Sequence, residues 1–431
     1  MKNSIASLHG QKKKPFPAML AVLLSCTLAL SGCGREKTPD AHGGTIAMGT
    51  VFQFSLEGNT AASYTERLGH LATDLDRDLL SWREPAAQIA RINAAAGRPE
   101  GYPLTEETEA LLLSCLAICQ ETEGAFDITL GALTKLWDLD AYASGEETER
   151  RAKDGSYVPP TPAQIREALT CCGYEKVRIA DHHIYLPEGM SLDLGAVGKG
   201  YFLNRAQMEM TGELPDAYVR QILEEEKGFF GGSADISGND ISGNDVSGNS
   251  VFKGYSFDVT GNDFTIFTPA PKLAYHAYVA DADLLNAAGA AGCISAGGSV
   301  LTVGKKSDGS DWNVGITDPF GGGAPVQTLQ VPGGMCVSTS GDYERAARVG
   351  ETLYHHILDP GTGYPARTNA AGYTVSEDQR PVSVTVLCRD GLLADALSTA
   401  CFVLGEEEGR GLAERFGAEV MYLYADGRFS R

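Results

Sequence analysis

Between Asp390 and Gly405 the chain reads DGLLADALSTACFVLG. Leu393, Ala396, Leu397, Ala400, Cys401 and Leu404 fall on one face of a helix, and Leu392, Phe402 and Val403 carry the apolar surface round most of the circumference. A helix that is apolar almost all round is a buried one. One polar stripe runs along it: Asp395, Ser398 and Thr399. On this helix alone, a paired or solvated carboxylate is favoured over a ligand role. The same period predicts helices over Ser63–Trp82, Thr105–Thr122, Thr161–Cys172 and Gly198–Met210. Strand patterns fall at Val51–Leu56, Cys293–Val303, Trp312–Thr317, Thr352–Leu358, Val382–Leu387 and Val420–Tyr424. Helices and strands interleave without a strict βαβ repeat, so the expected class is α+β or mixed α/β.

The pattern breaks down between Leu214 and Asp283. There ISGNDISGNDVSGNSV, Ile236 to Val251, repeats every five residues in Gly, Asn, Asp and Ser. Such a stretch buries too little apolar surface to order itself and reads as a surface insertion spanning about 214–283. A Ca²⁺-binding repeat is disfavoured, because the nonapeptide spacing does not recur. At the N-terminus, Lys12, Lys13 and Lys14 precede a 13-residue apolar run, Ala18 to Leu30. That is short of the ~20 residues a membrane span needs and suits a signal peptide. The run ends in LSGC, Leu30 to Cys33, which resembles a bacterial lipobox with Cys33 as the lipidated residue. The expected organisation is a signal peptide over 1–32, a tether over 33–46, a main domain over 47–412 and its C-terminal strand and tail over 413–431. The expected address is the extracytoplasmic face of a bacterial cell membrane, through a lipid anchor.

Charge narrows the partners. Cleavage before Cys33 removes Lys2, Lys12, Lys13 and Lys14 and no acid, taking the formal charge from −21 to −25. So acidic a body argues against nucleic acid and anionic surfaces as partners. Eight cysteines follow Cys33 without a C-x-x-C pair, so no disulfide framework or zinc spacing emerges and most are expected to be buried thiols.

Other stretches carry candidate chemistry. LDLGAVGKGYFLNRA, Leu192 to Ala206, passes from a strand through a Gly-rich turn into a helix, where free N–H groups can hold an anion. It is no Walker loop, since Asp193 stands at the first Gly position and Gly200 at the final hydroxyl. EGAFDITLGAL, Glu123 to Leu133, sets Asp127 in a loop, where a capping role is the default. SAGGSVLTVG and DWNVGITDP look like a two-stranded unit. YHHILDPGTGYPA places His355, His356 and Asp359 beside a Pro-Gly turn. Adjacent histidines on a strand face opposite ways, so at most one enters a given site, and the pattern leaves open which.

Eight motifs occur in order: MGT (Met48–Thr50), SWREPAAQIARIN (Ser81–Asn93), GAFD (Gly124–Asp127), DLGAVGKGY (Asp193–Tyr201), SAGGS (Ser295–Ser299), TSGDYER (Thr339–Arg345), HHILDPGTGYP (His355–Pro365) and ADALSTA (Ala394–Ala400). In that order they resemble the FAD:protein FMN transferases, formerly called thiamine-biosynthesis lipoproteins, over nearly all of Met48 to Gly405 outside the insertion. The resemblance implies a flavin-transferase fold of mixed β-sheets flanked by helices, with a cleft for FAD. It implies Mg²⁺ on the FAD pyrophosphate, held by Asp395 and Thr399 with Ser398 close by and the carbonyl of Ala196. The hard-oxygen set suits that ion, and positions i and i+4 share a helix face. It further implies a FAD pocket of Met48, Trp82, Ala125, Phe126, Asp127, Asp193, Lys199 and Leu358. Trp82 stands where relatives often carry Tyr, and its ring could stack on the flavin.

The implied reaction is phosphoryl transfer. A Thr or Ser hydroxyl of an exported flavoprotein attacks the FMN-side phosphorus of FAD and AMP leaves. His356 is the first candidate for assisting that hydroxyl, with Asp359 orienting it. The chain holds no Ser/Thr-Gly-Ala-Thr acceptor motif of its own, so the acceptor is expected to be a separate protein of ion pumping or extracellular electron transfer. Two alternatives stay open: an FAD pyrophosphatase that uses water, and a flavin-binding lipoprotein without turnover.

Overall fold

The computed structural model describes residues 40–213, 282–368 and 380–431, together with 275, 277, 278, 280 and the backbone of 256–258 and 265–267. The signal peptide, Cys33 and the five-residue repeat lie outside the described residues. Eight strands form the main sheet: β1 (Asp40–Ala47), β2 (Thr50–Glu57), β8 (Ala291–Ala296), β9 (Ser299–Val303), β12 (Cys336–Gly341), β15 (Pro381–Cys388), β16 (Glu419–Tyr424) and β17 (Phe429–Ser430), neighbours in that order. Each neighbouring pair is antiparallel. The run Cys293–Val303, read as one strand, is a hairpin. Ala296 pairs with Ser299 across Gly297 and Gly298, and Gly297 takes a positive φ of 60° that closes the turn. The unit expected from SAGGSVLTVG and DWNVGITDP does not form: β10 (Trp312–Ile316) pairs instead with β11 (Gln327–Val331).

Helices α1 (Ala61–Asp74), α2 (Gln88–Ala94), α3 (Glu106–Glu121), α4 (Gly131–Trp137), α5 (Leu139–Ser144), α6 (Pro162–Thr170) and α7 (Gly198–Thr211) lie in the first half. A small sheet of β3 (Tyr102–Pro103), β4 (Arg178–Ala180) and β5 (His183–Tyr185) lies among them. After β6 (Ser256–Asp258) and β7 (Thr265–Phe267) come α8 (Ala282–Ala287), the hairpin of β13 (Ala346–Val349) and β14 (Thr352–His355), α9 (Gly391–Leu404) and α10 (Glu406–Arg415). The expected helix Ser63–Trp82 is α1 continued by a π-helical turn, Leu75–Leu80. Such turns recur at functional sites. The expected helix starts at Thr105 and Thr161 are caps: each hydroxyl accepts a backbone N–H of the first turn, and Thr161 with Gln164 makes a capping box.

As its sequence predicts, α9 is buried, packing on β12, β15 and α7. It crosses α7 backbone to backbone. A Cβ on Gly200 would sit 2.0 Å from the Gly391 carbonyl oxygen, and one on Gly391 would sit 2.5 Å from that of Gly200. Asp390 caps α9 by accepting the Leu393 N–H (3.0 Å). It also accepts the Asn204 amide of α7, the Tyr275 hydroxyl and the Tyr278 N–H at 2.6–2.9 Å.

Two expected boundaries move. The stretch read as a tether to residue 46 contains β1, whose alternation is hidden in sequence because Gly43 stands at an inward position and Gly44 follows it on the exposed face. Gly43 has to be small, since a Cβ there would lie 2.2 Å from Thr65 of α1. The insertion ends before Tyr275, because Tyr275 and Tyr278 are tied to Asp390. Removing the repeat, residues 236–251, and bridging the ends with a short Gly/Ser linker should leave soluble protein with an unchanged thermal midpoint, since the repeat has little apolar surface to give a core. Insoluble product would show an ordered element there. Extending the deletion through Tyr278 should cost about 1–3 kcal/mol, read by denaturant unfolding, as a buried carboxylate loses two donors.

Candidate active site

Asp395 lies on the inner face of α9 and is 2 % exposed. Its Oδ2 accepts the Gly200 N–H (2.7 Å), and its Oδ1 accepts the Ser299 hydroxyl (2.6 Å) and that of Ser338. One carboxylate therefore joins α9, α7, β9 and β12. The Gly200 N–H is one of the first-turn donors that α7 leaves without an intrahelical partner, and Asp395 takes it. One turn along α9, Thr399 is half-buried and shares a hydrogen bond with Ser340 of β12 (3.1 Å). Ser398 is buried between the Asp395 carbonyl (2.9 Å) and Ser340 (2.8 Å).

These atoms suit a small hard cation. A carboxylate offers about four lone-pair sites, and three of those on Asp395 are taken. With the Thr399 hydroxyl one turn along α9 it offers oxygen donors of the kind Mg²⁺ commonly completes with water and phosphate. Among the described residues no three His, Cys, Asp or Glu side chains converge as metal ligands.

The flanking motifs meet here. Met48 and Gly49, both at positive φ (50° and 68°), make a two-residue hairpin turn. A non-glycine residue is uncommon in that region, and Asp76 of the π-helical turn holds it by accepting the Met48 N–H (2.6 Å). The Met48 sulfur would lie 3.5 Å from a Cβ on Gly198, so it overhangs the start of α7. Asp193 folds the Gly-rich turn by accepting the Gly195 N–H (2.8 Å). Lys199 is half-buried at the start of α7.

The histidines separate. β14 ends at His355, short of the expected Leu358. His355 is 1 % exposed, with Nε2 against the Ala366 carbonyl (2.9 Å), Nδ1 accepting the Ile357 N–H (3.3 Å) and its ring edge-on to Phe402. Burial pushes its pKa down to about 3, although the Ala366 carbonyl works the other way. The unfolded chain takes up this proton near pH 6.5 and the folded chain only near 3. Its stabilising contribution is therefore complete above about 6.5 and lost as pH falls towards 3, by about 1.4 kcal/mol per pH unit. Denaturant unfolding at pH 7, 5.5 and 4.5 should show His355→Gln with a shallower loss than wild type, by up to one proton; parallel slopes would refute it.

His356 points the other way. Its Nδ1 is buried without a hydrogen-bond partner. Burial first, then the Arg345 charge, hold its pKa well below the ordinary value, with His355 and Lys199 adding to the effect and Asp140 opposing it. The imidazole is neutral at neutral pH. Asp359 does not orient it: both carboxylate oxygens serve the Pro-Gly turn, accepting the Gly361 N–H (2.8 Å) and the Thr362 hydroxyl (3.0 Å). Leu358 is buried in a satellite core with Trp137, whose indole N–H anchors the same turn at the Gly363 carbonyl (2.8 Å).

Asp127 accepts the N–H and hydroxyl of Thr129 (both 2.7 Å) and the Tyr174 N–H (3.1 Å). Burial raises its pKa, against those hydrogen bonds. It shapes the loop, while Phe126 (2 % exposed) and Ala125 (8 %) belong to the main core. Trp82 is half-buried, with the Arg83 guanidinium 4.0 Å over its ring. Sequence reading missed Arg83, Asp140 and Arg345 as a unit. Asp140 Oδ1 accepts from Arg345 Nη1 and Oδ2 from Arg83 Nη2, each at 2.9 Å. No local pattern signals it, because the partners lie 57 and 205 residues from Asp140.

Comparison with known proteins follows the same residues. A curated protein of Treponema pallidum named FAD:protein FMN transferase is 26% identical over 422 residues, covering 95% of this chain and 91% of its own. One of the same name from Salmonella typhimurium is also 26% identical, covering 94% and 92%. The crystal structure of an ApbE protein from Thermotoga maritima shares the fold with a TM-score of 0.62 at 24% identity, covering 91% of this chain and 97% of that one. The flavin transferase ApbE of Vibrio cholerae gives 0.58 at 20% identity, covering 91% and 96%. The ApbE family model matches residues 48–219 and 275–422, a span that holds all eight motifs and both sides of the Asp395 junction, and the chain belongs to that family.

Proposed function

We propose that this protein transfers FMN from FAD to a Thr or Ser hydroxyl of an exported flavoprotein and releases AMP. The observation that carries the reading is the junction at Asp395, where a buried carboxylate at the start of α7 and the Thr399 hydroxyl one turn along α9 suit a hard cation. The names of the Treponema and Salmonella relatives support the same activity. In the reaction the acceptor oxygen bonds to the FMN-side phosphorus, the bond to the AMP oxygen breaks, and that electron pair leaves with AMP. His356, neutral and unpartnered at Nδ1, takes the hydroxyl proton. Lys199 offsets charge on the pyrophosphate, and Met48, Asp193 and Trp82 border the flavin. Mg²⁺, bound by Asp395, Thr399 and the Ala196 carbonyl, would stabilise charge on the pyrophosphate and the leaving group. Export and anchoring through a lipidated Cys33 place the enzyme beside exported acceptors.

Incubation with FAD, Mg²⁺ and an acceptor domain tests the reading. Flavin fluorescence that stays with the acceptor on a denaturing gel is the expected result. Free FMN without labelled protein would make the enzyme a pyrophosphatase, and intact FAD would make it a binder. For the anchor, labelled fatty acid should enter the wild-type protein and not Cys33→Ser.

A further inference from the structure

Arg83, Asp140 and Arg345 come from three separate places: the loop after the π-helical turn, the short helix α5 and the end of the TSGDYER motif. Asp140 is the least exposed of the three, at 22 % of its side chain against 51 % for Arg83 and 37 % for Arg345. Burial alone would raise its pKa, but the Arg345 and Arg83 charges bring it down to about 2, so it is ionised throughout the neutral range. Each of its oxygens holds a different guanidinium at 2.9 Å. One of those guanidiniums covers the Trp82 ring at 4.0 Å. The other belongs to the residue whose carbonyl accepts the His356 N–H (3.1 Å); its charge acts on His356, and the Asp193 carboxylate is among the acids that favour that charge.

We propose that Asp140 is a positioning residue, a two-armed clamp that fixes the Trp82 wall relative to the His356 backbone so that the flavin ring and its phosphorus are held in register. The inference rests on the transfer reading above. With either arm open the wall and the proton acceptor move independently, and misplacement of about 1 Å can cost on the order of 10²-fold in rate.

The test compares Asp140→Asn with wild type in single-turnover transfer at saturating FAD, with each rate corrected for the folded fraction. Asn keeps the shape but loses the charge and one acceptor oxygen. A loss of roughly 10–100-fold is expected, with the FAD dissociation constant changed far less. Asp140→Ala and Arg345→Ala should be strongly non-additive, the double variant being no slower than the slower single one. A wild-type rate per folded molecule in Asp140→Asn, or losses that multiply in the double variant, would overturn the clamp. Should Asp140→Asn not fold, Arg83→Lys and Arg345→Lys open the arms one at a time and carry the same expectation. Wild-type protein that yields neither labelled acceptor nor FMN defeats the transfer reading instead. The clamp is then judged by quenching of tryptophan emission by bound FAD: weaker quenching in Asp140→Asn supports it, and equal quenching overturns it.

Discussion

Asp395→Ala is expected to abolish FMN transfer, by about 10³-fold or more. Charge stabilisation by a catalytic metal is worth several kcal/mol, and each 1.36 kcal/mol is a decade in rate. The structure adds a second consequence that the sequence does not disclose. Asp395 accepts from Gly200, Ser299 and Ser338, so its loss leaves buried donors behind. The two serines, 3.0 Å apart, can pair with each other, but the Gly200 N–H cannot move. A stability cost of about 1–3 kcal/mol follows. Asp395→Asn separates the effects, since its amide oxygen still accepts while its charge is gone. It should keep most of the stability and little of the activity. Near-normal transfer by Asp395→Asn at limiting Mg²⁺ would remove the metal from this position. Thr399→Ala should be milder, because a neutral hydroxyl contributes less than a carboxylate.

The second large effect concerns His356. Replacement by Ala should lower single-turnover transfer by roughly 10²–10⁴-fold, the range of general acid–base groups. Affinity for FAD should change much less, because the Asp395 junction is untouched. Its Nδ1 has no hydrogen bond to lose, and its backbone N–H, which donates to the Arg345 carbonyl, survives the change. A role in holding the flavin alone would make affinity fall with rate, and saturating FAD would then restore the activity. Full rescue there takes His356 out of the chemistry.

How far the sequence reached depended on how local the determining forces are. The α9 helix was legible because apolar residues cover most of its circumference, eleven of its fourteen residues being buried, and its stripe at Asp395 and Thr399 obeys helical spacing. That His355 and His356 face opposite ways follows from strand geometry; which one turns inward is decided by Ala366 and Phe402, distant in sequence and invisible to a pattern. Asp359 looked like a partner for His356 because both sit in one motif, yet a carboxylate two residues before a Gly N–H closes its own turn first. Asp127 is similar, shaping its loop through Thr129 and Tyr174. β1 was lost because Gly43, which makes room for α1, breaks the alternation on which a strand is recognised. The Asp140 clamp needs tertiary contacts on both sides, and no periodicity carries them.

The crossing of α7 and α9 has a consequence for how this enzyme tolerates change. Gly200 and Gly391 touch through main-chain atoms, whose dimensions do not depend on which amino acids surround them. The interval between the start of one helix and Asp395 on the other is thus gauged by peptide geometry rather than by the volume of any side chain. Leu392, Leu397 or Phe402 can drift in size, with repacking absorbed elsewhere in the core, and the gauge stays the same. Evolution could rewrite most of this interior while leaving a single dimension untouched.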